Sequence, residues 1–249
     1  MKVSSVLTTV LSLILSLPFA ASANDKGVVL VTGANRGLGL EFVKQLQGIG
    51  YEVIGTARNP GKATELKATG ARVEQLDVAD QASVASLANR LRGVPVDILI
   101  NNAGMLNRAD STLETLDFEA MDRSFQVNSL GPLRVTQALL PNLKAGQRRT
   151  IVSITSRLGS IELSTGGLYS YRTSKTALNQ INKIISTELV PQGFTCVVMH
   201  PGWVRTDMGG ANATLTKAES ISSMLGVIEH LTTESTGKFF NYDGEELPW

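Results

Sequence analysis

The sequence is poor in the residues that build covalent or metal frameworks. It has one cysteine, Cys196, which excludes an internal disulfide and a cysteine-only metal cage. Its two histidines, His200 and His230, are too few for a His-rich metal site, so no metal is expected. Charge of one sign is also scarce: 23 basic residues face 22 acidic ones, a formal net charge of +1. A nucleic-acid binder working by bulk charge would be more basic, so no nucleic-acid partner is expected. Aromatic residues make up 5%, while the apolar fraction of 43% supports a proper core and excludes global disorder. What is plentiful is glycine, 23 residues, a profile that suits tight turns and close backbone approaches. The length of 249 residues fits one α/β domain better than two small ones.

The first two dozen residues inflate the apolar figure. After Lys2 comes an uncharged run from Val6 to Leu17, then Pro18 and the small-residue pattern Ala21-Ser22-Ala23. This reads as a secretory signal peptide over residues 1–23, followed by a single domain over 24–249. The run is too short for a comfortable membrane span, so none is expected after cleavage. The leader places the protein in the periplasm or outside the cell. An uncleaved anchor, or a start site placed too far upstream that would leave the protein in the cytoplasm, are the alternatives. No twin-arginine pair precedes the run, so export of a pre-folded, cofactor-loaded protein is not suggested.

Beyond the leader, short β-branched runs alternate with helical stretches. Val28–Val31 is continuously apolar, as a strand buried on both faces should be. Leu38–Gln47 follows with helical spacing. Then come Glu52–Ala57 (strand), Gly61–Thr69 (helix), Arg72–Leu76 (strand), Ala82–Leu91 (helix) and Asp97–Ile100 (strand). Phe118–Leu143 is helical material broken near Gly131-Pro132, where proline interrupts the ladder. Thr150–Thr155, Thr195–Met199 and Lys238–Phe240 read as strands, and Tyr171–Leu189 and Ala218–Leu231 as helices. Strict alternation implies parallel pairing through right-handed crossovers. The predicted fold is an α/β, doubly wound Rossmann-type domain with a mostly or fully parallel seven-stranded sheet. Its ligand site belongs at the carboxyl ends of the strands.

The first strand runs into Thr32-Gly33-Ala34-Asn35-Arg36-Gly37-Leu38-Gly39, and a helix opens at once. A pyrophosphate needs backbone N–H groups aimed at it and no Cβ in the way. A glycine-rich turn opening a helix supplies both, with favourable dipole. A glycine trio alone is weak evidence, but its position here strengthens it. The second strand ends Gly55-Thr56-Ala57-Arg58-Asn59, without the acid that binds the ribose 2′-hydroxyl in an NAD site. Arg58 offers a guanidinium fork for a 2′-phosphate, and Arg36 is a candidate second cation. The cofactor favoured is therefore NADP(H) over NAD(H).

Tyr171 and Lys175 stand four apart on a predicted helix and share one face. A free tyrosine titrates near 10 and is a poor proton catalyst at neutral pH. A lysine ammonium beside it favours the phenolate, so the pair can give or take a proton at a substrate oxygen. Tyr169, six residues from Lys175, lies off that face.

The spacing T-G-x-x-x-G-x-G, followed by Asn101-Asn102-Ala103-Gly104, Tyr171-x-x-x-Lys175 and Pro201-Gly202-Trp203-Val204-Arg205-Thr206, resembles the short-chain dehydrogenase/reductase family from Val28 to the C-terminus. The resemblance implies that Asp77, beside Val78, meets the adenine ring. It implies that the turn carrying Asn101, Ala103 and Gly104 passes close to the cofactor. Pro201, Gly202, Val204 and Thr206 would close over the nicotinamide carboxamide. Ser156, in the frame S-x-x-G, resembles the serine that hydrogen-bonds the substrate oxygen, although Ser153 or Thr155 can be argued instead. The interval from Ser156 to Tyr171 is 15 residues, slightly longer than the family's usual one. Asn128 resembles the helix-kinking asparagine whose backbone carbonyl holds a relay water. By the same resemblance hydride goes to a carbonyl carbon, Tyr171 protonates the oxygen, and Lys175 also grips the nicotinamide ribose.

Gly159-Ser160-Ile161, the segment Tyr169–Lys175 and the C-terminal Phe239–Trp249 look like the branch of small carbonyl reductases that contains the C-factor and sniffer-like proteins. The expectation is an NADPH-dependent reductase of aldehydes, ketones or quinones, with a small carbonyl or alcohol substrate. The alternative is a cell-signalling protein that binds dinucleotide with incidental turnover. Arg205–Lys217 is the expected substrate loop. The family habit is a homodimer or homotetramer, with monomers known. The helix face carrying Leu178, Ile181, Ile184 and Ile185 is equally explained by packing on the sheet.

Overall fold

The computed structural model describes residues 26–249. The expected leader, residues 1–23, lies outside them. The chain runs β1 (Val28–Val31), α1 (Gly37–Gly48), β2 (Glu52–Ala57), α2 (Thr64–Ala68), β3 (Arg72–Gln75), α3 (Gln81–Arg90) and β4 (Ile98–Asn101). It continues through α4 (Phe118–Phe125), a π turn (Gln126–Leu130), α5 (Gly131–Ala138), α6 (Leu140–Ala145), β5 (Thr150–Ile154) and α7 (Tyr169–Leu189). It closes with β6 (Thr195–His200), α8 (Lys217–Glu229) and β7 (Phe239–Asn241).

All seven strands are parallel, in the order β3-β2-β1-β4-β5-β6-β7, which gives the expected doubly wound sheet. Alternation along the strands fills two cores. Val29 and Val31 pack with Phe42, Leu46, Met224 and Ile228 beneath α1 and α8. Leu30 and Leu99 turn the other way, with Leu87, Val135 and Leu189 beneath α3, α5 and α7. The strand order reverses between β1 and β4, so the switch-point crevice opens at their carboxyl ends.

Two helical expectations needed correction. Gly61–Thr69 divides into a 3-10 turn, Pro60–Lys62, and the short α2, because Ala63 leaves helical geometry at ψ 57° between them. The break near Gly131-Pro132 is a widened turn over Gln126–Leu130, and Gly131-Pro132 opens α5. Proline is tolerated in a first turn. With no N–H, however, Pro132 cannot make the ordinary helical bond to the Asn128 carbonyl four residues back, so the irregularity falls on the turn before it. Gly131 also passes tight against Val78, whose Cγ2 would lie 2.9 Å from a Cβ there.

The floor of the sheet, at the amino ends of the strands, is heavily cross-linked. Asp97 accepts hydrogen bonds from the Val28 amide at 2.8 Å and the Gln147 amide at 2.7 Å. Glu229 accepts from Lys26 and Tyr51, both at 2.6 Å, and from Arg148 at 2.8 Å. Burial alone would raise the Glu229 carboxyl, but the bonds from Lys26, Tyr51 and Arg148 outweigh it and hold it at about 2. The tail folds back along β7, with the Leu247 amide on the Phe239 carbonyl at 2.7 Å. The last residue reaches the loop before α7, where the Trp249 carbonyl accepts from the Glu162 amide at 3.1 Å.

Candidate active site

The glycine turn joins β1 to α1 at the switch point. Gly39 must lack a side chain, since a Cβ there would lie 2.3 Å from the Gly33 carbonyl oxygen and 2.6 Å from Asn102 Nδ2. Gly37 has a different reason: its φ is +59°, and nothing stands within 4 Å of where a Cβ would project. The space beside Gly37 is thus open, while the Gly33 and Ala34 amides are already bonded to Thr56. Arg36, the N-cap of α1, provides no side-chain cap, and no acid occupies the first turn. Elsewhere Asp80 caps α3 and a Thr216–Glu219 box caps α8. An uncapped helix start beneath an open glycine turn fits an anionic group, and a dinucleotide diphosphate has the right chemistry.

The surrounding cleft has a volume of about 510 Å³. It brings together the predicted Gly33, Asn35, Arg36, Gly37, Leu38 and Gly39. At the end beside β2 and β3 stand Arg58, Asp77 and Val78, with Lys62, which sequence reasoning missed. Among the described residues neither Arg58 nor Lys62 forms an ion pair. Asp77 is fixed locally, its carboxylate accepting from the Ala79 amide at 3.0 Å.

After β4 the chain turns along the cleft through Ala103 and Gly104. Asn101 does not line it: this buried residue donates to Thr136 of α5 at 3.3 Å, and its Oδ1 has no partner. The stitching that the turn's side-chain amides were expected to supply falls to Asn102 alone. Its Nδ2 donates to the carbonyls of Thr32 at 2.9 Å and Gly33 at 3.2 Å. The available signal was strand parity, since Asn101 is still strand and Asn102 is the first residue beyond it.

At the far end Tyr171 and Lys175 share the buried face of α7 and both border the cleft. Lys175 Nζ lies 5.8 Å from the Tyr171 ring centroid and donates to the Ile154 carbonyl at 2.8 Å. Burial lowers the ammonium to about 8. Burial raises the Tyr171 phenol above its ordinary value, and the adjacent Ser156 hydroxyl pulls the other way. Of the three hydroxyl candidates in and just after β5, Ser156 is the one beside that phenol. It caps the turn Arg157–Gly159 by accepting from the Leu158 amide at 3.1 Å. Thr155 commits its hydroxyl proton to Asn179 at 2.7 Å, and Ser153 is buried within β5.

The Asn128 side chain is a brace. Its Oδ1 accepts from the Met105 amide at 2.8 Å, while Nδ2 donates to the Met105 carbonyl at 2.9 Å and to Ser174 Oγ at 3.0 Å. It ties the loop after β4 to α7 within the π turn. Its main-chain carbonyl is the one deprived of a helical donor by Pro132.

After β6, Pro201 and Thr206 border the cleft, as do Asp207 and Met208. Gly202 and Val204 sit behind it. A Cβ on Gly202 would strike Leu215 at 2.4 Å, and Val204 bridges to Leu215. Arg36 is paired with Asp207 at 2.9 Å. His200, at the end of β6, is lowered to about 4 by burial and by Arg157. Among the described residues no group of three or more His, Cys, Asp or Glu side chains could hold a metal ion, and no helix is long and apolar enough to cross a membrane.

The family profile described as short chain dehydrogenase matches residues 27–216. The C-signal protein of Myxococcus xanthus is 51% identical over 156 residues, covering 62% of this chain and 93% of that protein. Among solved structures, NADPH-bound carbonyl reductase from chicken fatty liver aligns with TM-score 0.83 at 35% identity, over 89% of this chain and 98% of the other. The carbonyl reductase Sniffer of Drosophila melanogaster aligns with TM-score 0.85 at 34% identity, over 89% and 99%.

Proposed function

The chain belongs to the short-chain dehydrogenase/reductase family, and from that premise we propose that it is an NADPH-dependent carbonyl reductase of aldehydes, ketones or quinones. The observation that carries this reading is the pairing of Tyr171 with Lys175, both buried, at one end of a cleft whose other end is the uncapped glycine turn. When bound, the dinucleotide supplies the hydride. The chain's residues do the rest. The glycine turn and the start of α1 would hold the diphosphate. Arg58 and Lys62, which line the same cleft, would hold the 2′-phosphate. Ser156 orients the substrate oxygen and Tyr171 delivers a proton to it. A phenol raised above its usual value is protonated at neutral pH, so it starts as the acid. Lys175 stabilises the phenolate left behind, and the Asn128 carbonyl holds the water that returns the proton.

The test is NADPH consumption by the purified protein against a panel of aldehydes, ketones and quinones. Turnover with at least one is expected, and none with any would sink the reading. A second reading is a signalling role, favoured by the similarity to C-signal. Tyr171→Phe separates the two: signalling that survives while reduction is lost would establish it. For the leader, the expected outcome is a native N-terminus at Asn24 in the exported fraction. A retained Met1 would overturn it.

A further inference from the structure

Ser156 and Tyr171 must meet at one substrate oxygen, but the chain between them does not set their separation. It makes a mostly exposed excursion through Gly166 and Gly167, both at positive φ, before α7 begins. What fixes Ser156 against α7 comes from the far side of the tyrosine. Asn179 lies about two helical turns beyond Tyr171, also on the buried face of α7, and is 3% exposed. Its Oδ1 accepts from the Thr155 hydroxyl at 2.7 Å, and its Nδ2 donates to the Gly159 carbonyl at 3.2 Å. The residue before Ser156 and the last residue of the turn that Ser156 caps are thus tied to one side chain. Thr176 Oγ1 donates to the same carbonyl at 2.9 Å, and Gly159 sits so close that a Cβ there would lie 2.9 Å from Lys175 Cβ.

We infer that Asn179 is a positioning residue for carbonyl reduction: by gripping both flanks of the Ser156 turn, it sets where the Ser156 hydroxyl stands against the Tyr171 phenol. The inference rests on the reductase reading above. Asn179 does not border the cleft, so its effect on the reaction passes through the residues it holds. The bonding pattern suits an amide. Thr155 needs an acceptor and the Gly159 carbonyl needs a donor, and asparagine presents one of each at short span. The turn transmits the grip. The Gly159 amide donates to the Ser156 carbonyl at 2.8 Å and the Leu158 amide to Ser156 Oγ at 3.1 Å, so a displaced Gly159 carries Ser156 with it. The bond from Leu158 uses a lone pair of the hydroxyl and leaves its proton for the substrate side.

The test is a double-mutant cycle on carbonyl reduction, with the wild type, Asn179→Leu, Ser156→Ala and the pair. Leucine keeps the size and removes both bonds. Asn179→Leu is expected to lower kcat about ten- to a hundredfold, while the NADPH Kd and the carbonyl KM stay near their wild-type values. In the Ser156→Ala background it should cost nothing further. Hydrogen exchange in the cofactor-free protein gives a readout without turnover. The Leu158 and Gly159 amides should exchange faster in Asn179→Leu, while the amides of β1 and α1 keep wild-type rates. If Asn179→Leu does not fold, Thr155→Val removes one of the two bonds and should show the same pattern with a smaller loss. An unchanged kcat, an equal loss in the Ser156→Ala background, or unchanged exchange at Leu158 and Gly159 would each overturn the inference. A wild type that reduces no carbonyl sinks the reductase reading instead, and the exchange rates then decide alone whether Asn179 holds the Ser156 turn.

Discussion

At the floor of the sheet, Glu229 collects hydrogen bonds from Lys26, Tyr51 and Arg148, and Asp97 collects backbone amides from two segments. At the cleft end, Lys175 is more deeply buried than Glu229 but has only the Ile154 carbonyl, with no carboxylate bonded to it. The start of α1 is uncapped there, and Arg58 and Lys62 form no ion pair among the described residues. One end spends its polar groups on one another. The other keeps them available, at a cost in stability that the two packed cores absorb. Buried charge stabilises a fold when its partners are built in, and it serves chemistry when they are withheld.

Lys175→Met should break this comparison most sharply. Removing an unpaired buried ammonium is expected to raise the thermal midpoint while carbonyl reduction falls about 10²–10⁴-fold. Calorimetry beside a rate assay reads both, and a lowered midpoint would count against the contrast. Next comes Arg58→Gln, expected to weaken NADPH binding at least about tenfold and leave NADH unchanged, measured by titration. The alkaline limb is third. Lys175 is lowered to about 8 and acts as the ammonium, so kcat/KM for reduction should fall about tenfold per pH unit above that value. A flat profile to pH 10 would remove Lys175 from the proton step.

The smallest effect belongs to the floor. Glu229→Gln should lower the unfolding free energy by about 1–3 kcal/mol with kcat unchanged. The sign with pH follows from the depressed carboxyl, about 2 against 4.5 in the unfolded chain. The stabilisation is complete above the unfolded value and is lost as pH falls toward the folded one. The gap between wild type and variant, read by denaturant melts, should therefore close on acidification.

Strand composition made the sheet legible, because β1 is an unbroken apolar run and β4 and β5 are apolar runs interrupted only by Asn101 and by Thr150 and Ser153. The glycine turn and the tyrosine–lysine spacing were legible because their chemistry depends on residues close in sequence. The rest depends on distant partners. Nothing near Arg36 in the chain announces Asp207, and which of the two adjacent asparagines does the tying depends on acceptors at another strand end, Thr32 and Gly33. The helix break expected near Gly131-Pro132 falls just before it, in the turn that holds Asn128, because proline displaces the irregularity to the carbonyl it deprives.

The two chain ends of the described domain have unequal freedom. Lys26 is moored to Glu229 on the floor, so cargo or a surface linker attached ahead of it would hang on the side away from Tyr171. Trp249 offers no such liberty. Its carbonyl holds Glu162, in the loop that leads into α7, so a fusion partner joined there would pull on the segment that leads to Tyr171. Immobilisation through the front of the domain should spare turnover, whereas immobilisation through the back should lower it.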